Sequence, residues 1–156
     1  MSSIRRSIAN YTTSVAADKT VAEIQRLLAA AKATAILSEF SDGIAIAVSF
    51  RIKTEFGVLT FRLPANIDGV YAVLQRSRTI GPKFRTRDQA ARVAWRIILH
   101  WLDAQLAMIQ TGLVKLEQIF LPYAQDASGV TVYDRLRERQ FSDYLLPKST
   151  VSGPTP

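Results

Sequence analysis

Residues 41–64, SDGIAIAVSFRIKTEFGVLTFRLP, are the stretch on which the fold turns. Ile44, Ile46, Val48, Phe50 and Ile52 alternate with Ala45, Ala47, Ser49, Arg51 and Lys53. That is a period of two, which belongs to a strand with one face toward a core and a second face that is small or cationic. Ser41-Asp42-Gly43 before it and Thr54-Glu55-Phe56-Gly57 after it carry turn chemistry. Leu59, Phe61 and Leu63 continue the apolar face in the next segment, with Thr60 and Arg62 on the other, and Pro64 ends it. Folding about the second turn sets Arg62 opposite Ser49 and Arg51 opposite Thr60, which makes the two arginines diagonal neighbours on one sheet face.

Outward from this meander the pattern becomes helical. Upstream, Asp18-Lys19-Thr20-Val21-Ala22-Glu23 predicts a helix start in which Thr20 caps free amides and Glu23 reaches back. Val21, Ile24, Leu27, Leu28 and Ala31 then form its buried stripe. Still earlier, Ser7–Val15 reads as a polar edge strand. Downstream, Asn66 or Asp68 opens a short helix over 69–76, and a long helix runs over 86–111 to a stop at Gly112. A short helical piece lies within 114–123. Asp126-Ala127-Ser128-Gly129 predicts a turn into a strand at 130–133, before a last helix from Asp134 to about Gln140. The expected class is α+β: an antiparallel sheet of three to four strands, helices packed on one face, and a small C-terminal hairpin. Residues 1–146 are expected to form one domain, with 147–156 a Ser/Thr/Pro/Gly-rich tail.

The chain has 156 residues, enough to bury a real core without staples, and 48% of them are apolar. No apolar run approaches the roughly 20 residues that cross a bilayer, so no membrane association is expected. The basic N-terminus is not followed by the apolar stretch of a secretory signal. Cysteine is absent, which excludes disulfides, thiolate ligands and a cysteine nucleophile, and fits a reducing cytoplasm. The single histidine, His100, makes a histidine-based metal site hard to build, and no metal or cofactor is expected. Paired with Asp103 one turn on, it could shuttle a proton, but a lone helix histidine is commonly structural. The carboxylates are dispersed, and there is neither a phosphate-binding GxxxxGK[ST] loop nor a GxGxxG turn. Nothing in the sequence supports an enzyme.

Charge is the informative quantity. The net charge is +7, and residues 51–100 hold ten basic and three acidic side chains, so the surplus has an address. Its densest part is QRSRTIGPKFRTR, residues 75–87, with Arg76, Arg78, Lys83, Arg85 and Arg87 and no acid. Arg92 and Arg96 follow on the polar stripe of the long helix, beside Asp88, His100 and Asp103. Loop and helix cations are expected to form one anion-gripping surface of guanidinium forks. Arg51, Lys53 and Arg62 on the sheet supply a second basic patch, without the aromatic platform that single-strand readers use. Trp95, Trp101 and Met108 add apolar surface beyond what one sheet face needs, which is consistent with a homo-oligomer.

The run Ala90-Ala91-Arg92-Val93-Ala94-Trp95-Arg96, followed by Trp101, Ala104-Gln105-Leu106-Ala107, Gly112 and Phe120-Leu121-Pro122-Tyr123, resembles small uncharacterised proteins encoded by phages and prophages. Phe61-Arg62-Leu63-Pro64-Ala65-Asn66-Ile67 adds to the likeness, which spans about residues 10–135. It carries over no functional residue. It implies a setting: a mobile-element protein that works on nucleic acid, or on a host machine that does. The expected function is non-enzymatic nucleic-acid binding, mainly by phosphate contacts. The alternative is a counter-defence protein that binds a host factor or sequesters an anionic ligand.

Overall fold

The computed structural model describes residues 6–142 and 145–147. Three strands, β1 (Ala35–Ser41), β2 (Ile44–Thr54) and β3 (Gly57–Pro64), form one antiparallel sheet in the order β1-β2-β3. Asp42 and Gly43 both take positive φ, +50° and +76°, the backbone of a two-residue hairpin turn whose twist matches the strands. The second turn brings Ser49 opposite Arg62 and Arg51 opposite Thr60, the expected register. Helices α1 (Ala17–Ala30), α2 (Ile67–Arg76), α3 (Arg87–Gln110), α4 (Leu116–Phe120) and α5 (Val132–Glu138) complete an α+β fold.

The long helix begins and ends where its sequence says it should. Thr86 accepts a hydrogen bond from the Gln89 amide at 3.1 Å, and Gly112 takes φ +77° just past the last turn. Along α3, Trp95, Leu99 and Leu102 pack with Val21, Ile24 and Leu28 of α1 and with Val48, Phe50 and Ile52 of β2. Phe120 closes this core edge-on to Phe50 and Trp101. A second cluster holds α2 to α3 through Leu74, Ile80, Ala90, Ala91 and Ala94, and Ile44 and Ile46 pack against it. No helix of the described residues is long and apolar enough to cross a membrane.

Some expectations are corrected. Ser7–Val15 is not an edge strand: residues 9–12 are a turn, and the Gln89 side-chain amide donates to the Tyr11 and Thr13 carbonyls at 2.8 and 2.9 Å. Those carbonyls therefore find a side chain rather than a ladder. Helix α1 starts at Ala17, a turn earlier than the Thr20 capping box places it. Thr20 is buried, its hydroxyl donates back to the Ala16 carbonyl at 3.4 Å, and Glu23 pairs elsewhere. The alternation in β2 is interrupted by a bulge that leaves Ile46 without a partner in β1, so Ala45 joins the main core from the face expected to be outward. The C-terminal hairpin contracts to a single antiparallel bridge, Gln125 with Thr131, because Thr131 caps α5 at once. The tail over 147–156 lies, Pro147 apart, outside the described residues.

Around that bridge, Asp126 accepts hydrogen bonds from the Ser128 hydroxyl (2.6 Å), the Arg135 Nε (2.7 Å) and the Ser128 and Val130 amides. The Ser128 hydroxyl, then Arg135, hold its carboxyl well below the usual carboxylate range. A carboxyl depressed in the folded state stabilises fully above its unfolded value, and that contribution is lost as the pH falls through and below the ordinary carboxylate range. Asp126→Asn is expected to lower the melting temperature at neutral pH and to flatten the fall of the melting temperature in acid. Parallel acid limbs for the two proteins would contradict it.

Candidate anion-binding groove

The basic residues singled out by the sequence do different work in the fold. Arg62 lies across the small Ala47 and Ser49 of β2 and meets Glu39 of β1, Nε to Oε2 at 2.8 Å. Arg96 reaches α1 and donates to both carboxylate oxygens of Glu23 at 3.4 Å. Arg87 pairs with Asp68 at 2.6 Å, beside the Tyr71 ring. Arg92 donates to the Gln89 side-chain carbonyl at 3.0 Å, the same glutamine that pins the N-terminal segment. These arginines are committed within the molecule, and their charge is offset or anchored.

Arg85 is committed differently. Its Nε donates to the Ile80 carbonyl at 2.8 Å and its Nη2 to the Ser77 carbonyl at 2.9 Å. Its own carbonyl accepts the Gln75 amide at 2.7 Å. One guanidinium thus ties together the connection between α2 and α3, which also contains a single 3-10 turn at Pro82–Phe84. Ile80, 1% exposed, plugs the same connection into the second cluster. The loop is held by one polar and one apolar anchor.

Four of the remaining cations have no ion pair or hydrogen bond through the side chain among the described residues: Arg51 and Lys53 on the sheet, and Arg76 and Arg78 at the end of α2. Lys83 is exposed and lies over the Phe84 ring at 4.8 Å. Arg51 and Arg62 line a groove on the open sheet face together with Glu39, Ser49 and Thr60, so a carboxylate sits inside that basic patch. Ser49 is nearly buried there, opposite Arg62 of the Arg62–Glu39 pair. Arg96 lines a separate cleft between α1 and α3 with Glu23, Arg26, His100 and Asp103, where the charges alternate in sign. His100 contacts the Asn10 amide at 3.5 Å, and among the described residues no three His, Asp or Glu side chains are grouped to hold a metal ion.

The groove at the end of α2 differs from these. Its volume is about 440 Å³, and Arg76 and Arg78 line it with Arg6, which the chain delivers from seventy residues away. Ser7, Ser77 and Thr79 add three hydroxyls in a chain, Ser77 Oγ to Thr79 Oγ1 at 3.0 Å and Ser7 Oγ to Thr79 Oγ1 at 3.5 Å. Among the described residues no carboxylate lines it. Ile8, Val73 and Ile80 form its apolar part. The carbonyl end of a helix carries negative partial charge that disfavours an anion. Here Arg85 occupies the Ser77 and Ile80 carbonyls just beyond that end, and Arg76 and Arg78 line the groove beside it. Ser77 and Thr79 sit inside the basic run and were legible had hydroxyls been counted with charges; Arg6 and Ser7 gave no local signal.

Trp95 is fully buried and Trp101 half-buried against Phe120 and Tyr123, so of the apolar residues considered for a subunit contact only Met108 is exposed. In comparisons with known proteins, no family model, curated protein or solved structure matches this chain.

Proposed function

We propose that this chain is a non-enzymatic nucleic-acid-binding protein that grips phosphate through the groove of Arg6, Arg76 and Arg78, with Lys83 beside the loop and the sheet cations Arg51 and Lys53 secondary. One observation carries the reading. Among the described residues this groove combines several arginines without a carboxylate, whereas the other three grooves that hold predicted cations each contain at least one, and its hydroxyls supply further donors. Guanidinium forks bind phosphate oxygens with charge-assisted hydrogen bonds that a neutral site cannot match. Contacts of this kind position a strand without reading its bases, so little sequence preference is expected. The likeness to phage and prophage proteins supports a setting in which such a protein meets nucleic acid.

The test is binding of a labelled duplex and a labelled single strand across a salt series. Three phosphate contacts give a slope of log affinity on log salt of about −3 for duplex. Each lost contact to a charged group is worth about 1.5 kcal/mol, close to tenfold in Kd. Arg76→Gln/Arg78→Gln is therefore expected to weaken binding about 100-fold and to make the slope shallower by about 2. Arg137→Gln, which removes one exposed charge from α5, is the control for net charge and should change little. Binding that is insensitive to salt, or equal in the double variant and the natural protein, overturns the reading.

A further inference from the structure

The free positive charge of the basic region is divided between the sheet, with Arg51 and Lys53, and the end of α2, with Arg76 and Arg78. A protein that tracks a continuous strand needs a basic stripe, because successive phosphates lie at regular intervals along the backbone. Here the stripe is interrupted: Arg87, Arg96 and Arg62 are each tied to a carboxylate, and Arg92 to Gln89. What is left in one place is three guanidinium groups without an ion pair among the described residues, and three linked hydroxyls, in a groove of about 440 Å³ with an apolar wall. That volume is typical of a small-ligand site, which runs from about 300 to 1,000 Å³. It is lined as such sites are, by apolar side chains with a few convergent donors.

The donor set also fits one form of phosphate better than another. An internal phosphodiester has one charge and two free oxygens, and its ester bonds continue on both sides. A terminal phosphomonoester carries between 1.5 and 2 charges near neutral pH, roughly, and offers three oxygens on one side. Three arginines and three hydroxyls lining one groove are enough donors for three oxygens, and a terminal phosphate leaves the chain only one side on which to continue. Ile8 and Val73 then stand where the sugar or base of the terminal residue would lie.

We infer that the groove of Arg6, Arg76, Arg78, Ser7, Ser77 and Thr79 is an end-recognition site for the phosphomonoester of a nucleotide, at the terminus of a strand or on a free mononucleotide. The inference rests on the nucleic-acid reading above and narrows it from phosphate in general to a terminal phosphate.

The experiment compares two single strands of one sequence, one with a 5′-phosphate and one with a 5′-hydroxyl, and adds a free nucleoside 5′-monophosphate as competitor. The expected result is about tenfold tighter binding of the phosphorylated strand, the worth of one further charge-assisted contact set. The preference should fall toward one in Arg78→Gln and in Ser77→Ala/Thr79→Val, with folding of each checked by its melting temperature. Equal binding of the two strands by the natural protein overturns the inference while leaving nucleic-acid binding in place. Competition by the mononucleotide with no binding of either strand keeps the phosphomonoester site, identifies the free nucleotide as its source, and overturns the nucleic-acid reading. No binding of any of the three overturns both. An end preference that persists in both variants overturns the location.

Discussion

Trp95→Ala is expected to remove about 3–5 kcal/mol of stability, the usual range for emptying a buried aromatic site. For a single domain whose total stability is commonly about 5–15 kcal/mol, such a loss leaves little margin. Trp95 is the largest fully buried side chain and sits where α1, α3 and β2 meet. Its indole Nε1 also donates to the Ala45 carbonyl at 2.9 Å. Ala45 adjoins the bulge at Ile46, where the register to β1 shifts, so the indole ties the core helix to the strand at its irregular point.

Trp95→Phe separates the two contributions. Phenylalanine keeps most of the apolar volume and loses the donor, leaving a buried carbonyl unpaired at a cost of about 1–3 kcal/mol. Urea melts followed by circular dichroism give both values. If Trp95→Phe is as stable as the natural protein, the hydrogen bond to Ala45 adds nothing net. If Trp95→Ala costs less than about 2 kcal/mol, the packing account fails. Trp101, half-buried against Phe120 and Tyr123, should be the more tolerant of the two tryptophans.

What the sequence disclosed and what it hid divide along contact range. The β2–β3 register was legible because it depends on a period of two and a turn between adjacent segments, and so were the Thr86 and Gly112 ends of α3. The start of α1 was misplaced because Thr20 and Glu23 match a local capping pattern. Their side chains are claimed by tertiary structure instead, Thr20 by burial and Glu23 by Arg96, seventy-three positions away. The same holds for the candidate site. Charge density over 75–96 pointed to the region of the proposed groove, but which arginines are free depends on Glu39, Glu23 and Asp68, none of which lies within that run. Arg6 could not be joined to Arg76 and Arg78 without the fold.

Arg85→Ala is expected to weaken phosphate binding about tenfold although this guanidinium points into its own loop and not into the groove. The reason is geometric. Arg85 bridges the Ser77 and Ile80 carbonyls, and Ser77, Arg78 and Thr79 lie at or between those anchor points. Without the bridge, two carbonyls lose a charged donor, at a cost of about 1.5–3 kcal/mol for such a bond. Opening the loop to water relieves that cost, and does so at the expense of the groove. Ile80 remains as the second anchor, so the domain stays folded and the change is local. Hydrogen exchange should show it as faster exchange over 77–85 with α3 (Arg87–Gln110) unchanged. Arg85→Lys decides between bridge and charge. A lysine keeps the positive charge but places a single point of donors where a planar fork spans two acceptors. If Arg85 acts as a phosphate contact or through net charge, Arg85→Lys should bind like the natural protein and Arg85→Ala like Lys83→Ala. If it acts as the bridge, Arg85→Lys should fall close to Arg85→Ala, with both below Lys83→Ala and both showing the same local exchange over 77–85.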